Sequence, residues 1–464
     1  MHIHIVGICG TFMGGVAALA RAAGHEVTGC DANVYPPMSS QLANLGIKIV
    51  EGYDPAQLEV VPDYVVIGNA LSRGNPVVEA VLNRRIPYCS GPQWLAEHVL
   101  HSRHVIAIAG THGKTTTASM LAFILQDAGL EPGFLIGGIP VNFETSARFG
   151  NSEFFVVEAD EYDTAFFDKR AKFVHYRPQT LVINNLEFDH ADIFDDIDAI
   201  LWQFHQLMRT VPGNGRVVIN GADANVARVI EQGCWTGVEQ FGDDDDADWH
   251  ARFLDIGERR IEISHASAGA TETPWKLGGV HNLQNAVAAV AAAHSAGVSL
   301  SRAVDALSRF DGVKRRMERT ATVSEIAIYD DFAHHPTAIR STIAGLKKRY
   351  PTQRIVVALE PRSNTMKMGV HKDSLAKSLE NADLVFVYRP AELAEQLDAS
   401  LAALGGRVAA FANYDELVGD LEGKLLAGDQ LVFMSNGGFG AARQKLTMAL
   451  QKKRLATANT DSPQ

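Results

Sequence analysis

The segment Val105-Ile-Ala-Ile-Ala-Gly-Thr-His-Gly-Lys-Thr-Thr-Thr117 carries the residue types needed to hold a chain of phosphates. Its apolar run reads as a buried strand that ends at Gly110, turns through Gly113 and opens a helix with Lys114 and Thr115. At such a junction backbone N–H groups converge on one small space, and the helix dipole favours negative charge there. Lys114 adds a cation for β- and γ-phosphates, and Thr115 offers a hydroxyl to Mg²⁺. Loops of this type usually carry a further glycine where this chain has Ile108, so a shortened variant is expected. A glycine-rich turn with an incidental lysine is the bland alternative. The strand before and the helix after favour an ATP site built from Gly110, Thr111, His112, Gly113, Lys114, Thr115 and Thr116.

Other clusters suit the same chemistry. Val156-Val-Glu-Ala-Asp-Glu-Tyr-Asp163 places four carboxylates at the end of an apolar run, where oxygen ligands for Mg²⁺ would neutralise a transferring phosphoryl group. An exposed acidic loop is the competing explanation. Leu181-Val-Ile-Asn-Asn-Leu-Glu-Phe-Asp-His190 ends a second such run with Asp189 and His190, and a histidine beside acids at a strand end is a credible metal ligand. Gly279-Val-His-Asn-Leu-Gln-Asn-Ala286 leads into an alanine-rich helix with Asn282 and Asn285 on one face. Their carboxamides could read an adenine edge, although Asn282 could equally cap the helix. Lys314-Arg-Arg316 is placed to reach phosphates across a cleft, or is simply a solvated surface run. In Asp330-Asp-Phe-Ala-His-His-Pro336 the acids could hold a ribose.

The elements that position these groups form an α/β chain in several units. At 464 residues the protein exceeds one core, and roughly three domains are expected. Short β-rich runs (Ile3–Val6, Glu26–Cys30, Tyr64–Ile67) alternate with amphipathic segments such as Thr11–Ala23, the rhythm of a doubly wound parallel sheet. Gly7, Gly10, Gly14 and Gly15 crowd the first turn, and Asp31 ends the second strand. Gly7 and Gly10 are three apart, so the unit is Rossmann-like without the dinucleotide spacing. The boundaries are drawn at 1–103, 104–312 and 313–455, with 456–464 a small, polar, disordered tail. Asp243–Asp246 is a solvated loop rather than a metal site.

Composition narrows the classes. A hydrophobic content of 46% with 21% charged residues is ordinary for a soluble globular chain, and the net charge of −12 argues against a nucleic-acid partner. Cys9, Cys30, Cys89 and Cys234 form no CxxC pair, and the sequence starts directly on a strand-like run. Together these point to free thiols in a reducing cytoplasm without a signal peptide. No apolar run approaches a membrane span. Nothing in the sequence sets an oligomeric state.

Taken in order, Gly110-Thr-His-Gly-Lys-Thr-Thr, Glu158-Ala-Asp-Glu, Asn185 to His190, His281-Asn-x-x-Asn285, Arg316-Met-Glu and Asp331-Phe-Ala-His-His-Pro336 resemble the signature of the Mur ligases over essentially the whole chain. The resemblance implies an N-terminal Rossmann-like domain for a UDP-sugar, a central P-loop ATPase domain and a C-terminal Rossmann-like domain for the amino substrate. It implies ATP-dependent amide formation through an acyl phosphate, with ATP and Mg²⁺ required. By the family pattern Lys114, Glu158 and His190 are catalytic, and Thr115, Glu158 and His190 serve metals. His281, Asn282, Asn285, Arg316 and Asp331 join the loop in binding ATP. The N-terminal turn resembles the branch acting on UDP-N-acetylmuramate, with Gly10, Thr11, Asp31, Asn69, Ser72 and Asn75 as candidate sugar-nucleotide contacts. Leu359-Glu-Pro-Arg-Ser-Asn-Thr-Met-Lys-Met-Gly369 and the long connection Thr164–Pro178 resemble the branch that attaches a preformed murein tripeptide in peptidoglycan recycling. Arg362 and Asn364 are then its peptide contacts; in Arg362 a structural ion pair is the alternative.

Three other readings compete. A ligase adding free L-alanine to the same nucleotide shares every motif except those last two. A nucleotide-operated switch would use the loop without ligation. An NAD-dependent oxidoreductase built on the first domain leaves Lys114, Glu158 and His190 unexplained.

Overall fold

The computed structural model of the protein describes residues 1–35, 38–362 and 372–460. Three large sheets follow one another along the described chain, beside a two-stranded hairpin of Asp163–Ala165 and Asp168–Ala171. The first has five parallel strands, in the order Lys48–Glu51, Glu26–Asp31, His2–Val6, Tyr64–Ile67 and Tyr88–Ser90. Ile3, Ile5 and Val6 on the middle strand are fully buried, as expected where helices cover both faces of a parallel sheet. Successive crossovers change direction between His2–Val6 and Tyr64–Ile67. That reversal opens a crevice beyond the carboxyl ends of these two strands.

The second sheet has ten strands. Its centre is His104–Ala109, flanked in parallel by Thr180–Ile183 and Phe154–Glu158. Beyond Arg216–Asn220 and Gly237–Phe241 it extends into Trp249–Phe253, Arg260–His265 and Gly269–Pro274, with Asp243–Asp246 in the exposed connection before Trp249. The helices Lys114–Asp127 and Val280–Ser295 pack side by side in one apolar core. Alanines 286, 288, 289, 291, 292 and 293 are fully buried there. Alanine favours the helix and lets the two backbones approach closely.

The third sheet runs Glu318–Val323, Ile326–Asp331, Gln430–Met434, Ile355–Leu359, Leu384–Tyr388 and Val408–Phe411, parallel except for its first pair. The period of two is plain in its middle: Ile355, Val357 and Leu359 enter one core, and Val356 and Ala358 enter the other.

The cores are not three independent bodies. Ile3, Ile5, Trp94 and Leu100 share a single cluster with Val105, Phe155, Leu181 and Phe204, so the first two units are joined by apolar packing. The third unit keeps its own two clusters. It meets the second through polar contacts, including Arg349 Nη1 on the Lys276 carbonyl at 2.5 Å and Thr337 Oγ1 on Glu187 at 2.9 Å.

Two details differ from the sequence expectation. Val313 still packs in the central core, and the chain enters the third sheet only at Glu318. The last helix, Ala442–Thr460, runs past residue 455 into the expected tail. It holds no Gly or Pro to stop it, and it is rich in Ala, Leu, Lys, Gln and Arg. No described helix is long and apolar enough to cross a membrane.

Trp94 is fully buried where the first two units join. Trp94→Ala should lower unfolding free energy by about 3–5 kcal/mol. The drop in urea midpoint reads this; a midpoint shift worth under about 1 kcal/mol would mean the junction contributes little.

Candidate active site

Because His104–Ala109 lies between Thr180–Ile183 and Phe154–Glu158, three carboxyl-terminal ends converge. They deliver Gly110–Lys114, Glu158–Glu161 and Asn184–His190 to one cleft of about 510 Å³. That volume is within the roughly 300–1,000 Å³ of small-molecule sites. Gly113 has φ 83°, and a Cβ there would stand 2.2 Å from Asn285 Oδ1, so only glycine fits. The loop amides are not all free to meet an anion. Thr111 N donates to the Asn185 carbonyl at 2.9 Å and His112 N to Asn185 Oδ1 at 2.8 Å. Asn185, which sequence reasoning did not place in the site, fixes the loop's shape.

A buried charge cluster lies at the helix start. Lys114 Nζ donates to Glu161 Oε2 at 3.0 Å and has Asp160 Oδ1 at 3.8 Å. His190 Nε2 meets Glu161 Oε1 at 3.0 Å, while its Nδ1 is 3.3 Å from the Tyr162 hydroxyl. Burial alone would push the Glu161 carboxyl up. The Lys114 ammonium and the His190 hydrogen bond override that and hold it down at about 2. Burial would likewise depress Lys114, but the carboxylates of Glu161, Asp160 and Glu158 raise it above the ordinary lysine value. His190, also opposed by burial, is raised by its bond to Glu161. Its backbone sits at φ 56°, an uncommon conformation for a residue with a side chain. Glu161 was one of four carboxylates in the sequence motif, and nothing in the spacing singled it out over Glu158.

Glu158 accepts the Thr115 hydroxyl at 2.8 Å and the Gly137 amide at 2.6 Å. Burial, then the neighbouring Asp160, raises its pKa against the pull of Lys114. A buried carboxylate beside a hydroxyl and a second acid is the donor set a hard divalent cation requires, so Thr115 and Glu158 fit Mg²⁺. His190 would join only after releasing Glu161, since both its ring nitrogens are engaged.

Arg316 reaches the same hydroxyl, Nη2 to Thr115 Oγ1 at 3.3 Å, with its guanidinium 4.6 Å from the Phe332 ring centre. Asn282 and Asn285 line the cleft but are largely committed elsewhere. Asn184 donates to Thr117, Thr117 to Asn285, Asn285 to Asn282 and Asn282 to the Gly278 carbonyl, at 3.0, 3.2, 3.4 and 2.8 Å. That relay ties the two central helices to the loop and leaves each asparagine only its remaining lone pairs and N–H for a base. His281, buried nearby, is lowered to about 4 by desolvation and then by His112. Asp331 is buried, accepts from Thr342 Oγ1 at 2.8 Å and is raised by desolvation.

The crevice of the first sheet is lined by Gly10, Asp31, Asn69, Ser72 and Asn75. Asp31 already accepts the Cys9 and Asn33 amides, and Asn75 caps the helix Pro76–Arg84 through its side chain. Thr11 opens the helix Thr11–Ala22, is exposed, and does not line that crevice. Arg362 is exposed at the end of Ile355–Leu359 and lies over Gly437, where a Cβ would be 2.5 Å from its Nη1. Gly437 follows Asn436, which lines the nucleotide cleft. Asn364 falls outside the described residues.

Three family models match in the order these sheets occur: "Mur ligase family, catalytic domain" over residues 2–103, "Mur ligase middle domain" over 108–293 and "Mur ligase, glutamate ligase domain" over 315–437. The chain belongs to the Mur ligase family. A relative from Escherichia coli (strain K12), named UDP-N-acetylmuramate--L-alanyl-gamma-D-glutamyl-meso-2,6-diaminoheptandioate ligase, is 52% identical over 455 residues, 98% of this chain and 99% of that one. The crystal structure of a murein peptide ligase from Psychrobacter arcticus 273-4 is 46% identical with a TM-score of 0.76, covering 97% of this chain and 99% of its own. A UDP-N-acetylmuramate--L-alanine ligase from Burkholderia vietnamiensis (strain G4 / LMG 22486) is 33% identical, over 97% of this chain and 98% of its own.

Glu161→Gln should cost about 3–5 kcal/mol, because it leaves the buried Lys114 charge only the more distant Asp160. The depressed carboxyl stabilises the fold above its unfolded value of 4.5, and that contribution disappears as pH falls through about 2. Denaturant curves of wild type and variant should therefore differ most above pH 4.5 and converge toward pH 2. A gap independent of pH would show that the ionised pair is not its source.

Proposed function

We propose that this chain joins the lactyl carboxylate of UDP-N-acetylmuramate to the free α-amine of L-alanyl-γ-D-glutamyl-meso-diaminopimelate, converting ATP to ADP and phosphate. The observation that carries the reading is the Lys114–Glu158–Thr115 cluster. It lines the central cleft together with His190, Arg316 and Asn436. The 52% identity to a relative named for this reaction, over nearly both chains, supports that substrate pair.

The carboxylate oxygen attacks the γ-phosphorus of ATP, the bond to the bridging oxygen breaks, and ADP leaves. The acyl phosphate is then attacked at carbonyl carbon by the amine. Phosphate departs with the second C–O bond electrons, and the amine gives up a proton. Lys114 holds the transferring phosphoryl group, exchanging Glu161 for phosphate oxygens of like charge. Arg316 approaches it from the linker before the third sheet. Thr115 and Glu158, with His190 once it has released Glu161, would hold Mg²⁺, which would supply charge neutralisation at the phosphates. No enzyme nucleophile is needed, so catalysis rests on positioning and electrostatics. Asn282, Asn285 and His281 face the base, Asp331 the ribose, and the crevice residues Gly10, Asp31, Asn69, Ser72 and Asn75 the UDP-sugar. Arg362 makes a two-pronged contact with a diaminopimelate carboxylate.

With UDP-N-acetylmuramate and ATP, turnover on the tripeptide should exceed that on L-alanine; faster turnover on alanine contradicts the reading. Arg362→Ala should raise the tripeptide KM at least tenfold with little change for ATP, the loss expected for a charged hydrogen bond. Equal changes in both would make Arg362 structural.

A further inference from the structure

The strands Asp163–Ala165 and Asp168–Ala171 form a hairpin between Glu158 and His190 that packs on the first unit. Phe166 joins that unit's core, and Phe167 meets Tyr88 edge to face, 5.1 Å between ring centres. The residue that follows, Lys172, is anchored by its backbone N–H on the Tyr162 carbonyl at 2.9 Å and is 5% exposed. Its Nζ lies 5.0 Å from the Phe12 ring centre and 5.3 Å from that of Tyr162. No described carboxylate comes within 4.0 Å of it. Burial pushes its pKa down, Asp160 and Glu161 pull it back only from a distance, and Lys114 opposes them.

Two aromatic faces compensate only part of the cost of taking an ammonium out of water. A cation kept in such a place is waiting for an anion. Its location says which. Phe12 is in the first turn of the helix that starts beside Gly10 at the sugar-nucleotide crevice, and Tyr162 follows Glu161 at the phosphate cleft. Lys172 therefore packs between a helix that borders the first crevice and a tyrosine that lines the central cleft.

Resting on the substrate reading above, we infer that Lys172 binds the lactyl carboxylate of UDP-N-acetylmuramate and holds it for attack on ATP. The ion pair it forms replaces the missing counter-charge. Lys172 thereby separates this substrate from UDP-N-acetylglucosamine, which has the same pyrophosphate and sugar but no lactyl group.

Calorimetric titration of the full chain with each of these two nucleotides tests this. Lys172→Met should weaken UDP-N-acetylmuramate binding tenfold or more and leave UDP-N-acetylglucosamine within about twofold, abolishing the discrimination. Lys172→Arg, which keeps the charge, should retain part of it, and unchanged UDP-N-acetylglucosamine binding shows that each variant is folded. Equal losses for both nucleotides would assign Lys172 to the pyrophosphate or to packing and overturn the inference, as would no loss for either. If the wild-type chain itself fails to prefer UDP-N-acetylmuramate, the substrate reading falls first, and it does so without any variant. Initial rates give a second readout. The KM for UDP-N-acetylmuramate should rise in Lys172→Gln with the ATP KM nearly unchanged.

Discussion

Lys114 and Glu161, 3.0 Å apart and almost wholly shielded from water, set the terms for the rest of the site. Buried alone, each charge would face several kcal/mol of uncompensated desolvation. Paired, they hold the loop lysine at the start of its helix with its ammonium on the Glu161 carboxylate. Around them Glu158 is raised first by burial and then by Asp160, against the pull of Lys114. In the proposed reaction a divalent cation would offset these acids, and an arriving phosphate chain would compete with Glu161 for one ammonium. Ligand exchange at a preformed charge, without rebuilding the loop, is how such a site charges itself for phosphoryl transfer.

That cluster needs carboxyl ends of three neighbouring parallel strands within hydrogen-bond reach, and the topology of the central sheet delivers them. The shared apolar core fixes the first unit against the second, so the sugar-nucleotide crevice and phosphate cleft keep a constant separation. The third unit has its own cores and reaches the cleft through Arg316 on Thr115 and Thr337 on Glu187. Polar contacts of this kind break and reform at little cost beside an apolar interface.

Much of this was legible in the chain. Strand, loop and helix around Gly110–Thr117 follow from apolar run, glycine and lysine alone, and the middle strands of all three sheets stand out as runs of Val and Ile. The limits have physical causes. Four carboxylates in eight residues look alike in a sequence; only the fold decides that Glu161 faces Lys114 while Glu158 faces Thr115. Asn282 and Asn285 share a helix face, but the commitment of Asn285 to Thr117 depends on a helix more than 160 residues away in sequence. Lys172 lies in the long Thr164–Pro178 connection, but nothing there singled it out, because its isolation comes from Phe12 in another domain. Arg362 could be picked out by its type, whereas its seat over Gly437 depends on which strands are neighbours.

The central claim is that this charge cluster moves phosphate onto a carboxylate and not onto water. UDP-N-acetylmuramate labelled with ¹⁸O in its lactyl carboxylate tests it directly, by mass spectrometry of the inorganic phosphate released as amide forms. The account predicts one carboxylate oxygen in each phosphate, left there when the acyl phosphate is cleaved by the amine. Phosphate free of the label, released at the same rate as amide, would contradict it.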